Sequence, residues 1–78
     1  MMNVKDLTYT QLCSYINKTF EFTSDCEFFP NFNVIGKITK VDINNKEYII
    51  SVSTKPTGKI INIGSNMKNL KMKVVNHQ

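Results

Sequence analysis

Seventy-eight residues make one domain, of a size that buries only ~60–65% of its unfolded surface and therefore has a thin core. No apolar run approaches the ~20 residues that span a bilayer, and MMNVKDLTYTQL lacks the basic flank and apolar stretch of a signal peptide, so a cytoplasmic protein without a membrane partner is expected. The formal charge is +4 and every basic residue is Lys, which speaks against base-specific reading of nucleic acid, because the bidentate guanine contact prefers Arg.

The lysines are accompanied by abundant Asn and Ile, a mix that translation of AT-rich DNA produces without any functional demand. Their distribution is nevertheless uneven. Residues 1–30 set Lys5 and Lys18 against Asp6, Glu21, Asp25 and Glu27, a net of −2, whereas residues 31–78 set eight Lys against Asp42 and Glu47, a net of +6. Such an asymmetry steers anions toward the C-terminal half, or else describes only a solvated exterior.

Asp6 followed by LTYTQLCSYINKTF predicts a helix over about 6–19 with Asp6 as N-cap and a stripe of Leu7, Leu12, Tyr15, Ile16 and Phe20, with Cys13 at its margin. Phe20 and Phe22 alternate with Glu21 and Thr23, the period of a short half-wet strand. Phe28, Phe29 and Phe32 then surround Pro30, which suits a loop rather than a central strand, with its aromatics folded back over the sheet.

The stretch Val34–Ser53 reads as a hairpin. Asn44-Asn45 tolerate the positive φ of a two-residue type I′ turn, which sets Ile43 against Lys46, Asp42 against Glu47 and Val41 against Tyr48. Strict pairing would turn Ile38 outward. One extra residue at Thr39-Lys40, opposite Ile49, corrects this and brings Val34, Ile38, Val41, Tyr48, Ile50 and Val52 to one buried face. Gly36 marks a sharp bend or a close backbone approach.

Lys55-Pro56-Thr57-Gly58 has the signature of a type I turn, and a strand over Lys59–Ile63 follows. Gly64–Asn69 reads as a single helical or 3₁₀ turn that Ser65 is able to cap, Leu70–Val75 as the last strand, and Asn76, His77 and Gln78 as a fraying tail. The tally is an N-terminal helix followed by a small five-stranded antiparallel barrel over about 20–75, an α+β arrangement that is mainly β. Its element order resembles an SH3-like barrel; an OB-fold would place its helix between the third and fourth strands.

The chemistry-bearing residues are sparse. Cys13 and Cys26 lie thirteen apart without a Cys-x-x-Cys, and the lone histidine, His77, falls in the tail, so neither a metal set nor a nucleophile with its base assembles. Two reduced thiols are the simplest reading, a disulfide the alternative. Asp42 and Glu47 are expected across an exposed hairpin rather than in a pocket, and Gly58-Lys59 and Gly64-Ser65 do not make a phosphate loop. No catalytic residue, cofactor or metal is expected.

Two binding functions remain. The first is a protein-interaction module using Phe28, Phe29 and Phe32, a cluster with flanking acids that a core this small leaves partly outside; the alternative is that the three rings cap the open end of the barrel. The second is weak, sequence-tolerant nucleic-acid binding by a stripe of Lys37, Lys40, Lys59, Lys71 and Lys73, although lysines also alternate along ordinary exposed strands and block aggregation at edges. Residues 70–75 are expected as an unpaired edge that offers homodimerisation. Size and composition together suit an accessory protein of a phage or other mobile element that modulates a larger partner, by analogy alone.

Overall fold

The computed structural model describes residues 1–75, and the expectation for Asn76–Gln78 lies outside them. In chain order the elements are β1 (Met2–Asn3), a 3₁₀ turn (Val4–Asp6), α1 (Tyr9–Ser14), β2 (Thr19–Thr23), β3 (Asn33–Asn44), β4 (Glu47–Thr54), β5 (Ile60–Gly64) and β6 (Lys71–Val74). All six strands join one antiparallel sheet in the order β1-β6-β2-β3-β4-β5. The protein is mainly β, as its turn-rich sequence implies. The expected five-stranded closed barrel is not formed: Met2–Asn3 add a sixth strand, and β1 and β5 end the sheet without pairing to each other.

The hairpin β3–β4 organises the molecule. Ile38 pairs with Val52, Val41 with Ile50 and Ile43 with Tyr48, and the register shifts between Ile38 and Lys40, so Thr39 is the extra residue. The bulge falls at the expected residue, although opposite Ser51-Val52 and not Ile49, and Ile38, Val41, Ile50 and Val52 are all buried, with Val34 and Tyr48 packed against them. The turn itself is displaced by one residue. Asn44 pairs with Glu47, so Asn45-Lys46 form the corner, and of these only Asn45 has positive φ, at 57°. The turn is thus not type I′, because Lys46 avoids the left-handed region that costs a side chain with Cβ about 1–2 kcal/mol. Asp42 consequently faces Ile49, not Glu47. A shift of one in the turn moves the register sum by two, which preserves the faces.

The helix is much shorter than 6–19. Thr8, not Asp6, is the N-cap: its hydroxyl accepts from the Gln11 amide at 3.1 Å while the Gln11 side chain accepts from the Thr8 amide at 2.8 Å, a complete capping box. Asn17 at φ 74° stops the helix, and its amide donates to the Ile38 carbonyl. The β-branched and aromatic residues from Thr19 on then enter β2 instead.

One further local expectation is overturned and another is met only in part. The Gly58 amide donates to the Thr54 carbonyl, closing a five-residue turn around Pro56 in place of a four-residue type I turn. Between β5 and β6, Met67 bonds back to Gly64 and Leu70 to Met67, giving two successive turns. Ser65 caps neither; its hydroxyl accepts from the Tyr48 amide.

The core gathers the inward faces of the strands, with Phe20, Phe22, Ile38, Val41, Ile50, Val52, Ile63 and Met72 closed over by Val4, Leu12 and Leu70 from the connections. Leu7, Tyr15 and Ile16 support its margin. Among the described residues, no helix is long and apolar enough to cross a membrane.

Candidate functional site

Residues 24–32 leave β2 and return to β3 as a loop clamped at its base. The Ser24 hydroxyl and the Asp25 amide both donate to the Lys68 carbonyl, at 2.7 and 2.9 Å, and the Asn69 side chain donates to the Asp25 carboxylate at 3.0 Å. Beyond this base, the Phe29 amide bonds to Cys26 and the Phe32 amide to Phe29, so consecutive turns wind the chain around Pro30. The three rings separate. Phe32 is half-buried and packs on the core, whereas Phe28 is 86% and Phe29 58% exposed. The expectation that the aromatics fold back over the sheet holds for Phe32 alone. Phe29 stands edge-on to Phe32 at 6.4 Å, which anchors an exposed ring to a half-buried one. Glu27 beside them is exposed.

The lysines meet differently. Alternation along the strands turns Lys37, Lys40, Lys71 and Lys73 to the outward side of the sheet, opposite the core. Cross-strand pairing sets Lys73 against Glu21 and Lys71 against Thr23, and Lys37 lies between Thr19 and Ser53. Lys59 precedes β5 and falls on the other side by the same alternation, so it leaves the stripe. Lys40 is engaged by Asp42 at 3.2 Å, an exposed pair, of the kind worth ~0–1 kcal/mol. Glu21, in turn, accepts from the Asn33 side chain at 2.7 Å. Four lysines with Glu21, Asp42 and Glu47, which pairs with Asn44 on the same side, leave a net of only +1 on this face.

The strand β6 is not an edge. Met72 and Lys71 pair with β1 on one side and with β2 on the other. The long free edge belongs to β5.

Two shallow clefts flank the sheet. One, of about 90 Å³, is lined by Met1, Glu21, Thr23, Lys71, Met72 and Lys73; the other, of about 250 Å³, lies between Lys5, Leu7, Lys46, Tyr48 and Asn66. The first brings Glu21 beside Lys71 and Lys73 on a shallow surface, and among the described residues no three of His, Cys, Asp and Glu are grouped to hold a metal. Cys13 and Cys26 are both free thiols. Tyr9 holds its phenolic proton above the ordinary range, chiefly through hydrogen bonding with the Cys13 side chain.

The chain matches no protein-family model, no curated protein and no solved structure. Function must therefore be argued from the surface itself.

Proposed function

We propose that this is a non-enzymatic protein-binding module whose Phe28–Phe29 loop inserts into an apolar pocket of a larger partner. The observation that carries this reading is the exposure of two adjacent Phe rings on a loop whose base is fixed by three hydrogen bonds. Burying each ring in a partner gives about 1.5–3 kcal/mol, and a clamped base lowers the ordering cost of association. Asp25 and Glu27 beside the rings favour a pocket with a basic rim. The architecture suits such a role: strands β2–β6 lie in the order β6-β2-β3-β4-β5 with a turn segment before the last strand, an open counterpart of an SH3-like barrel. An accessory protein modulating a larger cytoplasmic enzyme is the role we infer.

Replacing both rings, Phe28→Ser with Phe29→Ser, is expected to abolish capture of the partner while leaving the far-UV spectrum and melting temperature unchanged. Retained capture of that same partner overturns the reading. So does a double variant that unfolds, because the rings would then belong to the core.

A second reading is weak nucleic-acid binding, favoured by the common outward face of Lys37, Lys40, Lys71 and Lys73. It predicts anisotropy of labelled DNA or RNA that rises at roughly 50 mM salt and collapses at roughly 200 mM. Lys71→Glu with Lys73→Glu should then weaken every sequence alike, by about tenfold or more. Equal affinity of that variant removes the lysine face from the argument.

A further inference from the structure

The outer edge of β5 carries main-chain groups that the sheet does not use. The Thr54 amide bonds to the Lys59 carbonyl at one end of the β4–β5 ladder, and the Ser65 amide to the Tyr48 carbonyl at the other. In an antiparallel pair such bonded positions recur every second residue. Ile61 and Ile63 therefore point their amides and carbonyls at β4, and Ile60, Asn62 and Gly64 point theirs away from it. Of those outward groups, the Gly64 carbonyl receives the Met67 amide at 3.1 Å.

Exposed edges are ordinarily guarded by a charged residue, a proline, a bulge or extreme brevity. The opposite end of the sheet is guarded by brevity, since β1 has only two residues. The β5 edge has none of these devices: residues 60–64 read Ile-Ile-Asn-Ile-Gly, without charge or proline, and pair with β4 in unbroken register. Ile60 is 54% exposed there.

We propose that β5 pairs antiparallel with β5 of a second copy of this chain, about a two-fold axis at Asn62. The occupant is set by self-complementarity. Centred on Asn62, the pairing forms two bonds between the two Asn62 residues and two from the Gly64 amides to the Ile60 carbonyls of opposite copies, the Gly64 carbonyls being held by Met67. Centring on Ile63 leaves only two, and centring on Ile61 also forms four but pairs no more than Ile60–Asn62 of each copy, against Ile60–Gly64 in the Asn62 register. In the favoured register Ile60 has no side chain directly opposite, because it faces Gly64. Lys59 faces Ser65, so no like charges oppose across the axis. The same patch meets itself, as a two-fold interface requires. The pairing goes beyond the Phe28–Phe29 reading and does not depend on it, since that loop joins β2 to β3 on the other side of β4.

The test is sedimentation equilibrium of the intact chain from roughly 10 µM to 1 mM, the range of a weak self-association. The expected mass rises from 9.0 kDa to twice that value. Asn62→Pro deletes the central donor and leaves the β4 ladder untouched, because that amide points outward. It should weaken the dimer by about 100-fold, since both central bonds go and the ring obstructs the approach. Ile60→Lys, which restores an edge guard, should also give monomer and decides the matter if the proline variant does not fold. A wild-type chain that stays at 9.0 kDa at roughly 1 mM overturns the proposal and leaves the edge to a strand from another protein. Both variants dimerising as wild type does overturns it equally.

Discussion

Gly36→Ala is expected to lower the melting temperature by roughly 10–20 °C, from a loss of about 3 kcal/mol. Gly36 sits on β3 between Phe20 of β2 and Thr54 of β4, on the inward side. A methyl group there would lie 2.5 Å from the Ser53 carbonyl oxygen and 2.5 Å from Val52 Cγ1. The first of these neighbours is main chain and the second is a fully buried side chain, so neither swings aside. The β3–β4 ladder would have to open at the pairing of Gly36 with Thr54. Gly58→Ala provides the contrast: it meets nothing closer than 3.8 Å, and its cost comes only from the positive φ, about 1 kcal/mol. Thermal unfolding followed by circular dichroism measures both. An unchanged midpoint for Gly36→Ala would mean that β3 passes β4 with room to spare.

Phe22→Ala should be more damaging still, with a loss of about 3–5 kcal/mol. The Phe22 ring is fully buried, tilted against Phe20 at 6.3 Å, and stands between Val34 of β3 and Met72 of β6. Its removal opens a cavity where two strand pairs share one side chain. A domain of this size has only several kcal/mol in total, so no cooperative urea transition is expected at 25 °C. Phe28→Ala, outside the core, should shift the midpoint by no more than ~0.5 kcal/mol. The pair of variants separates core from surface within one aromatic-rich segment; equal behaviour of the two would contradict the burial described above.

These two cases also show what could be read before the fold was known. The face of β3–β4 was readable because each β-branched residue reports its side by alternation, and the slip of phase at Thr39 is visible in the sequence itself. The exact corner was not, since Asn44 and Asn45 are equally suited to positive φ and only tertiary pairing chooses Asn45. The spacing of Leu12, Tyr15, Ile16 and Phe20 approximates a helix longer than the one formed, because Phe20 reaches the core from β2 instead. Thr8 and Gln11 were a capping box three residues apart, a local signal strong enough to have placed the true start. Phe28, Phe29 and Phe32 are chemically identical, so sequence could locate the cluster but could not tell which ring packs. The strand β1 leaves no periodicity to detect in two residues. Lys37, Lys40, Lys71 and Lys73 follow from alternation, and so does the departure of Lys59, which shares the parity of Ile61 and the buried Ile63.

The position of β6 between β1 and β2 has a consequence for synthesis. A ribosome releases the chain from its N-terminal side, so β2, β3, β4 and β5 can assemble in order as neighbouring hairpins, each closing a short loop. The outer edge of β2, flanked by Phe20 and Phe22, waits for Lys71–Val74. Until those residues emerge, the core lacks Met72 and β1 has no strand to join. The nascent protein therefore completes its sheet late and all at once, and during that interval the bare β2 edge is the segment a chaperone would have to shield.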